Sequence, residues 1–384
     1  MRFEFATATN IIFGSDTVSE LPQLAQDLGS RAFVVTDHPG ERARPLLEKL
    51  KKGNIDYVTF NVSTEPTTHV ALSGVRHARE AACNLVIGVG GGSVLDTGKV
   101  IAALLTNSGE LMDYLEVIGE GNQLTQPSAP YIAVPTTAGT GAEVTRNAVL
   151  DSPEHQVKVS MRSPFMLPRL ALIDPVLTHS MPPSITASTG LDAFTQLLEV
   201  YVSNKSNPLT DGICLEGLKR AARSLRKAYK DGSDRVARED MSLASLFGGL
   251  GLANAKLGAV HGFAGPLGGM FSAPHGVVCA RLLPYVMEAN VNALQARSPV
   301  SPAMVRYDEV ARIVTGSPEA KAPDGFRWVQ ELCEDLVVPP LAEFGMKEED
   351  VSKVVEKSKN ASSMKGNPVE LTVDELTSIL KKAR

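Results

Sequence analysis

Four side chains in the second half of the chain have the types and spacing to hold a cation. Asp192 and Gln196 lie four residues apart in GLDAFTQLLEVY, and His261 and His275 bracket HGFAGPLGGMFSAPHG. One carboxylate and two imidazoles around a hard-to-borderline divalent ion make a site with open positions. Gln196 offers only a neutral amide oxygen as a further donor. Asp192 and Gln196 are predicted on one face of a helix, because residues four apart sit one above the other. Ser188, Thr189 and Gly190 read as the capping sequence of that helix. His261 and His275 are too far apart for one helical turn, so they must converge from a helix and a following loop or helix. Glycine at such density between them implies close packing against backbone.

A second segment suits phosphate. VIGVGGGSVLDTGKVIA, from Val86, runs from an apolar strand through glycines into a helix. Backbone N–H groups there approach a phosphate closely, and the helix amino terminus favours its charge. Gly90, Gly91, Gly92 and Ser93 form the turn, Ser93 is placed to cap the helix, and Asp96 falls in its first turn. A Walker A loop is excluded, since no glycine stands five residues before Gly98-Lys99 and no hydroxyl residue follows the lysine. The dinucleotide fingerprint fits loosely, with Ser93 in its third glycine position. Asp37 ends the strand RAFVVTD, where a carboxylate can bind ribose hydroxyls and repel a 2′-phosphate, which favours NAD over NADP. PTTAGTGAEVTRN, Pro135–Asn147, adds hydroxyls and small residues after another strand.

These residues need elements to position them. Up to about residue 182, strand-like and helix-like segments alternate: strands at Arg31–Asp37, Tyr57–Val62, Asn84–Val89, YIAVPT and LALIDP, and helices at Arg42–Lys52, Val70–Ala82 and Val94–Leu105. That alternation predicts an α/β domain with a parallel, Rossmann-like sheet covered by helices on both faces. Beyond Met181-Pro-Pro-Ser the pattern is helical: Ile185–Val202, Pro208–Arg223, Arg235–Leu252, Met304–Thr315, Gly325–Leu336 and Glu348–Lys357. The expected organisation is a nucleotide-binding domain over 1–182 and an all-α domain over 183–384.

Composition bounds the rest. A chain of 384 residues with 43% hydrophobic and 21% charged residues is long enough for two cores. The net charge of −5, without a basic stripe, argues against nucleic acid and anionic membrane as partners. The apolar stretch Ser242–Met270 is interrupted by Lys256 and His261, which fits buried helices better than a membrane span. The opening MRFEFATATN lacks a charged head followed by an apolar core, so no secretory signal is expected. Cys83, Cys214, Cys279 and Cys333 are dispersed, as for reduced thiols in a cytoplasmic protein. Segment Phe3–Phe13 is strand-like and could pair at a sheet edge.

Taken together, NIIFGSDTVSELP, GGGSVLDTGK, PTTAGTGAEVT, LALIDP, GLDAFTQLLE and HGFAGPLGG…PHG make the chain resemble the iron-containing (group III) alcohol dehydrogenase family over essentially its whole length. The resemblance implies a dehydroquinate synthase-like fold, with the active site between an α/β and a helical domain. It implies hydride transfer between NAD(H) and a small alcohol or aldehyde, assisted by Fe2+ or Zn2+, in a homodimer or larger assembly. It assigns the cofactor to Asp37, Gly91, Gly92 and Ser93, with Thr136, Thr137, Thr145, Asn147 and Lys158 around it. Asp192, His261 and His275 match three of the family's four metal ligands. Two positions depart from the pattern: Gln196 stands where the fourth ligand is histidine, and Gly265 where a histidine lies near the nicotinamide. The three remaining ligands resemble the zinc site of glycerol dehydrogenase. Maleylacetate reductases, relatives that work without metal on an oxo-acid, and a degenerate member that binds without turnover are the alternatives. The scarcity of basic residues near the histidines, with only Lys256 and Arg281 there, weighs against an oxo-acid or phosphorylated substrate.

Overall fold

The computed structural model describes all residues except 1, 38–42, 64, 156 and 272. The chain forms two compact units: Ala6–Thr137 with Gly141–His179, and Met1–Phe5, Ala138–Thr140 and Ser180–Arg384.

The first unit is α/β. Its strands are β1 (Asn10–Phe13), β2 (Arg31–Thr36), β3 (Asp56–Asn61), β4 (Leu85–Gly90), β5 (Tyr131–Pro135), β6 (Asn147–Ser152), β7 (Val157–Arg162) and β8 (Leu170–Ile173), and its helices are α1 (Leu21–Gln26), α2 (Arg44–Lys52), α3 (Thr68–Glu80), α4 (Gly92–Thr106) and α5 (Leu111–Tyr114). Six strands form one parallel sheet in the order β1-β8-β5-β4-β2-β3. Parallel strands are buried on both faces and read as continuous apolar runs; β2 is buried from Ala32 to Thr36 and β4 throughout. Alternate residues feed opposite cores. Phe33, Val35 and Val86 pack with α3 and α4, whereas Ala32, Val34, Leu85 and Ile87 pack with α1 and α2. The strand order reverses between β2 and β4, so the crevice beyond their carboxyl ends is a topological switch point.

Several expectations are corrected in detail. The strand-like amino-terminal segment is a strand only at Asn10–Phe13, where it pairs with β8 at the sheet edge. The antiparallel pair β6–β7 has no counterpart in the sequence reading. The helix expected from Arg42 begins at Arg44, and residue 42 lies outside the described residues.

The second unit is helical: α6 (Pro183–Val202), α7 (Pro208–Lys230), α8 (Arg235–Asn254), α9 (Ala259–Met270), α10 (His275–Arg297), α11 (Pro302–Thr315), α12 (Ala322–Asp335), α13 (Val351–Ser358) and α14 (Val373–Ala383). α6 begins with proline at its first position, where the missing N–H costs nothing. Ser188 and Thr189 therefore do not cap it; the Thr189 hydroxyl, already inside the helix, donates to Ile185 O at 2.7 Å. α6 is apolar nearly all round and packs against α7, α8 and α10, as expected of a helix buried on every side. The stretch Ser242–Met270 resolves into the end of α8 and α9, bent 95° apart. Among the described residues no single helix is long and apolar enough to cross a membrane.

α7 and α8 are clamped by an ion cluster around the buried Asp240. Asp240 accepts from Arg220 Nη1 at 2.9 Å, Arg223 Nε at 2.7 Å and the Ser224 hydroxyl at 2.5 Å. Burial works against the Asp240 charge, but the bonds from Arg223 and Ser224 hold its carboxyl below the ordinary value of 3.8. A depressed folded pKa stabilises above the ordinary value and is lost as pH falls through the folded one. Asp240→Asn should therefore cost about 1.5–3 kcal/mol at pH 7 in urea titrations, with the difference from wild type narrowing below pH 3.8.

Candidate active site

The cation-binding candidates converge within the helical unit. α6 carries Asp192 and Gln196 at adjacent turns, α9 carries His261, and His275 is the first residue of α10. His261 Nε2 lies 3.4 Å and His275 Nε2 3.7 Å from Asp192 Oδ1. Their entry depends on small residues: a Cβ on Gly276 would sit 2.4 Å from Ser188 O, so only glycine brings the first turn of α10 against α6.

Two residues that the sequence reading did not single out complete the cluster. Cys279, one turn after His275 on α10, places Sγ 3.6 Å from His275 Nε2 and 3.8 Å from His261 Nε2. Asp192, His261, His275 and Cys279 each offer a donor atom within 4.8 Å of the others. Glu199, one further step along the Asp192–Gln196 face, accepts from Val260 N and bonds His261 Nδ1, both at 2.7 Å. That bond places the Nδ1 proton toward Glu199 and leaves Nε2 as the donor atom facing Asp192. The spacings Asp192/Gln196/Glu199 and His275/Cys279 were the available signals.

Gln196 donates from Nε2 to Asp192 Oδ2 at 3.2 Å. Its Oε1 points toward α8, 3.0 Å from where a Cβ on Gly248 would stand. Both Gln196 Oε1 and Asp192 Oδ1 are buried without a hydrogen-bond partner. At 3.4 Å the approach of His261 Nε2 to Oδ1 is electrostatic rather than a made hydrogen bond. An orphaned carboxylate oxygen facing two imidazole nitrogens is what a cation site of this composition requires, so the residues fit a divalent metal. Burial opposes the Asp192 charge, yet His275 and His261 hold its carboxyl below the ordinary range. The facing Cys279 sulfur raises His275 to about 8 against burial, with Asp192 adding to it. Gly265 faces open space, with nothing within 4 Å of a Cβ built there.

The nucleotide candidates lie in the α/β unit. Gly90 ends β4, and Gly91, not Ser93, is the cap residue of α4; Ser93 falls inside the helix. A Cβ on Gly90 would lie 2.6 Å from Val94, so the strand turns directly into the helix. Thr137 packs against Gly91, and Thr136 N donates to Gly90 O at 3.0 Å. The hydroxyls of Thr36 and Thr136, at the carboxyl ends of β2 and β5, are buried and unpartnered. Asp37 follows β2 directly. Asp96, Thr145 and Asn147 meet elsewhere, around Lys99, to which the sequence reading gave no role of its own. Buried Lys99 Nζ donates to Asp96 Oδ1 at 3.0 Å, Thr145 Oγ1 at 2.8 Å and Asn147 O at 2.7 Å. Lys158, on β7, bonds Glu65 at 3.1 Å.

The chain thus joins a doubly wound sheet with a glycine turn at its switch point to a helical unit that carries a buried cluster of metal-type donors. The iron-containing alcohol dehydrogenase family matches residues 8–175, and the family's C-terminal domain matches 186–384. Alcohol dehydrogenase 4 of Saccharomyces cerevisiae is 36% identical over 92% of this chain and 91% of its own. A 1,3-propanediol oxidoreductase structure superposes with a TM-score of 0.92 at 32% identity, covering all of both chains. Sulfoacetaldehyde reductase from Bifidobacterium kashiwanohense, solved in complex with NAD+, superposes at 0.88 with 27% identity over 100% of this chain and 99% of that one. The chain belongs to the iron-containing alcohol dehydrogenase family, an oxidoreductase family that uses NAD and a divalent metal.

Glu199 offers a test of how the cluster is oriented. Partners that fix a ligating histidine typically contribute 10–100-fold in metal affinity. Glu199→Gln should weaken divalent-metal affinity by roughly that factor, measured with added zinc as the probe by competition with a chromophoric chelator.

Proposed function

We propose that this protein transfers hydride reversibly between NAD(H) and a small alcohol or aldehyde, with a divalent cation, Zn2+ or Fe2+, held by Asp192, His261 and His275. The observation that carries the reading is the convergence of these side chains around the unpartnered, buried Asp192 Oδ1. When bound, the cation supplies a Lewis acid that favours the deprotonated form of an alcohol or polarises a carbonyl.

The chain's own groups do the rest. Glu199 holds the His261 ring and its tautomer through Nδ1, and Gln196 holds Asp192 through Oδ2. Helices α7, α8 and α10 pack around α6 and leave Asp192 and His261 buried, whereas the His275 side chain is 37% exposed. In the α/β unit, Gly90, Gly91, Gly92 and Ser93 give backbone N–H groups at the amino end of α4 to a pyrophosphate. Thr136 and Thr137 flank that turn. Asp37 accepts from ribose hydroxyls, which favours NAD over NADP. Asp96, Thr145 and Asn147 support the cofactor turn through Lys99, which ties α4 to β6; Lys158 is the remaining residue we assign to the cofactor's surroundings. Gly265 brings no titratable group, so a proton leaving the substrate passes to solvent or to another residue.

The buried, unpaired cysteines suit a reducing cytoplasmic compartment. β1 is an outer strand, and its second edge is available to a second copy in a homodimer or larger assembly.

Two measurements test the reading. Chelated, metal-free protein should lose NADH-dependent reduction of small aldehydes and recover it with zinc or iron(II); full activity on maleylacetate without metal would sink it. Asp37→Gly should shift the NADPH-to-NADH ratio of kcat/KM toward NADPH by about tenfold, or about 1.4 kcal/mol of relieved repulsion. An unchanged ratio would remove Asp37 from cofactor selection.

A further inference from the structure

Resting on the reading of this site as a metal centre, we propose that Cys279 is itself a metal ligand, and that Gln196 stands outside the ligand set as the donor that orients Asp192. The set is then Asp192 Oδ1, His261 Nε2, His275 Nε2 and Cys279 Sγ, a mixed oxygen–nitrogen–sulfur site rather than the one-carboxylate, two-imidazole site that the hydride-transfer reaction requires at a minimum.

The distances carry this. Metal bonds of about 2.0–2.1 Å to nitrogen or oxygen and about 2.3 Å to sulfur give tetrahedral edges of about 3.3 Å between N and O and about 3.6 Å between N and S. The observed oxygen–nitrogen edges are 3.4 and 3.7 Å, and the sulfur–nitrogen edges are 3.6 and 3.8 Å. Four of the six edges of such a tetrahedron are thus already matched, and all four donor atoms lie within 4.8 Å of one another. Cys279 arrives there because His275 and Cys279 are one turn apart on α10, so the helix that delivers the imidazole delivers the sulfur as well. The second observation is Asp192 Oδ1, in a residue only 2% exposed and without a hydrogen-bond partner, facing the same point.

Gln196 is turned the other way. Its amide nitrogen, which has no lone pair to give, faces Asp192, and its oxygen faces Gly248 on α8. It supplies a hydrogen bond to the carboxylate oxygen that does not face the histidines. A chain with an amide at this position regains its fourth donor from α10 instead.

Ligation exchanges the S–H bond of Cys279 for a sulfur–metal bond and releases that proton to solvent, so binding gains a proton-release step. A thiolate beside two imidazoles suits zinc better than iron(II), so the site should prefer zinc.

The test uses the full-length protein loaded with cobalt(II), a spectroscopic stand-in for zinc. An intense near-ultraviolet sulfur-to-cobalt charge-transfer band is expected, together with visible d–d bands. Cys279→Ser should lose the first, keep the second, and bind zinc at least about tenfold more weakly, with its zinc-over-iron preference reduced. Gln196→Leu should keep the charge-transfer band. X-ray absorption of the zinc-loaded wild type, which needs no variant, should show one sulfur scatterer at about 2.3 Å. Stoichiometric metal with d–d bands but no charge-transfer band, and only nitrogen and oxygen scatterers, would overturn Cys279 as a ligand while leaving the metal centre standing. Failure of the wild type to bind cobalt or zinc would instead overturn the metal centre on which the inference rests.

Discussion

The helical unit depends on how it accommodates charge on a helix whose second half has no solvent-facing side. From Gly190 to Val202 α6 is buried throughout, yet Asp192, Gln196 and Glu199 lie along one of its faces at 2%, 2% and 3% exposure. Burying ionised carboxylates without partners costs several kcal/mol each. The neighbouring helices are placed to offset that cost. α9 brings the Val260 N–H and the His261 ring to Glu199, and α10 brings His275 toward Asp192. A second polar layer supports the turn before α9: Asn367 accepts from Ala259 N at 3.1 Å and from Asn290 Nδ2 at 3.1 Å, and Asn290 reaches the buried Tyr307 hydroxyl. Only Asp192 Oδ1 and Gln196 Oε1 on this face are left unsatisfied.

The α/β unit solves a different problem. Its glycine turn must expose backbone, which sacrifices side-chain packing at the start of α4. Lys99 compensates from within that helix: its ammonium, fully buried, takes one carboxylate, one hydroxyl and one carbonyl as partners. Asp96 is shared further, since its second oxygen accepts from Val149 N on β6 at 2.9 Å. The ion pair therefore fixes the helix behind the turn while the turn itself stays free of side chains.

The parallel sheet was legible because β2, β4, β5 and β8 are short apolar runs separated by periodic helices. The β6–β7 pair was not, since its alternation is mixed with polar and charged residues such as Asp151 and Lys158. α6 was readable as a helix, but its capping was not: Pro183 takes the start from the more conventional Ser188. α10 is absent from the helices read in the sequence; it carries Pro284 in its interior, a residue that alone disfavours a helix. That omission also hid Cys279, whose relation to His275 exists only once the helix is known. Asp192, His261 and His275 could be singled out by residue type; Glu199 and Lys99 could not, because a lone charged residue in an apolar run reads as ordinary until its partners are seen.

The donor atoms of the cation cluster come from α6, α9 and α10, separated by many residues in sequence but confined to one compact unit. An ion held as proposed would act as a cross-link among these helices, adding stability in proportion to the logarithm of free metal over its dissociation constant. Metal starvation would thus lower the thermal resistance of the helices that carry the donors, and protease would cut there first.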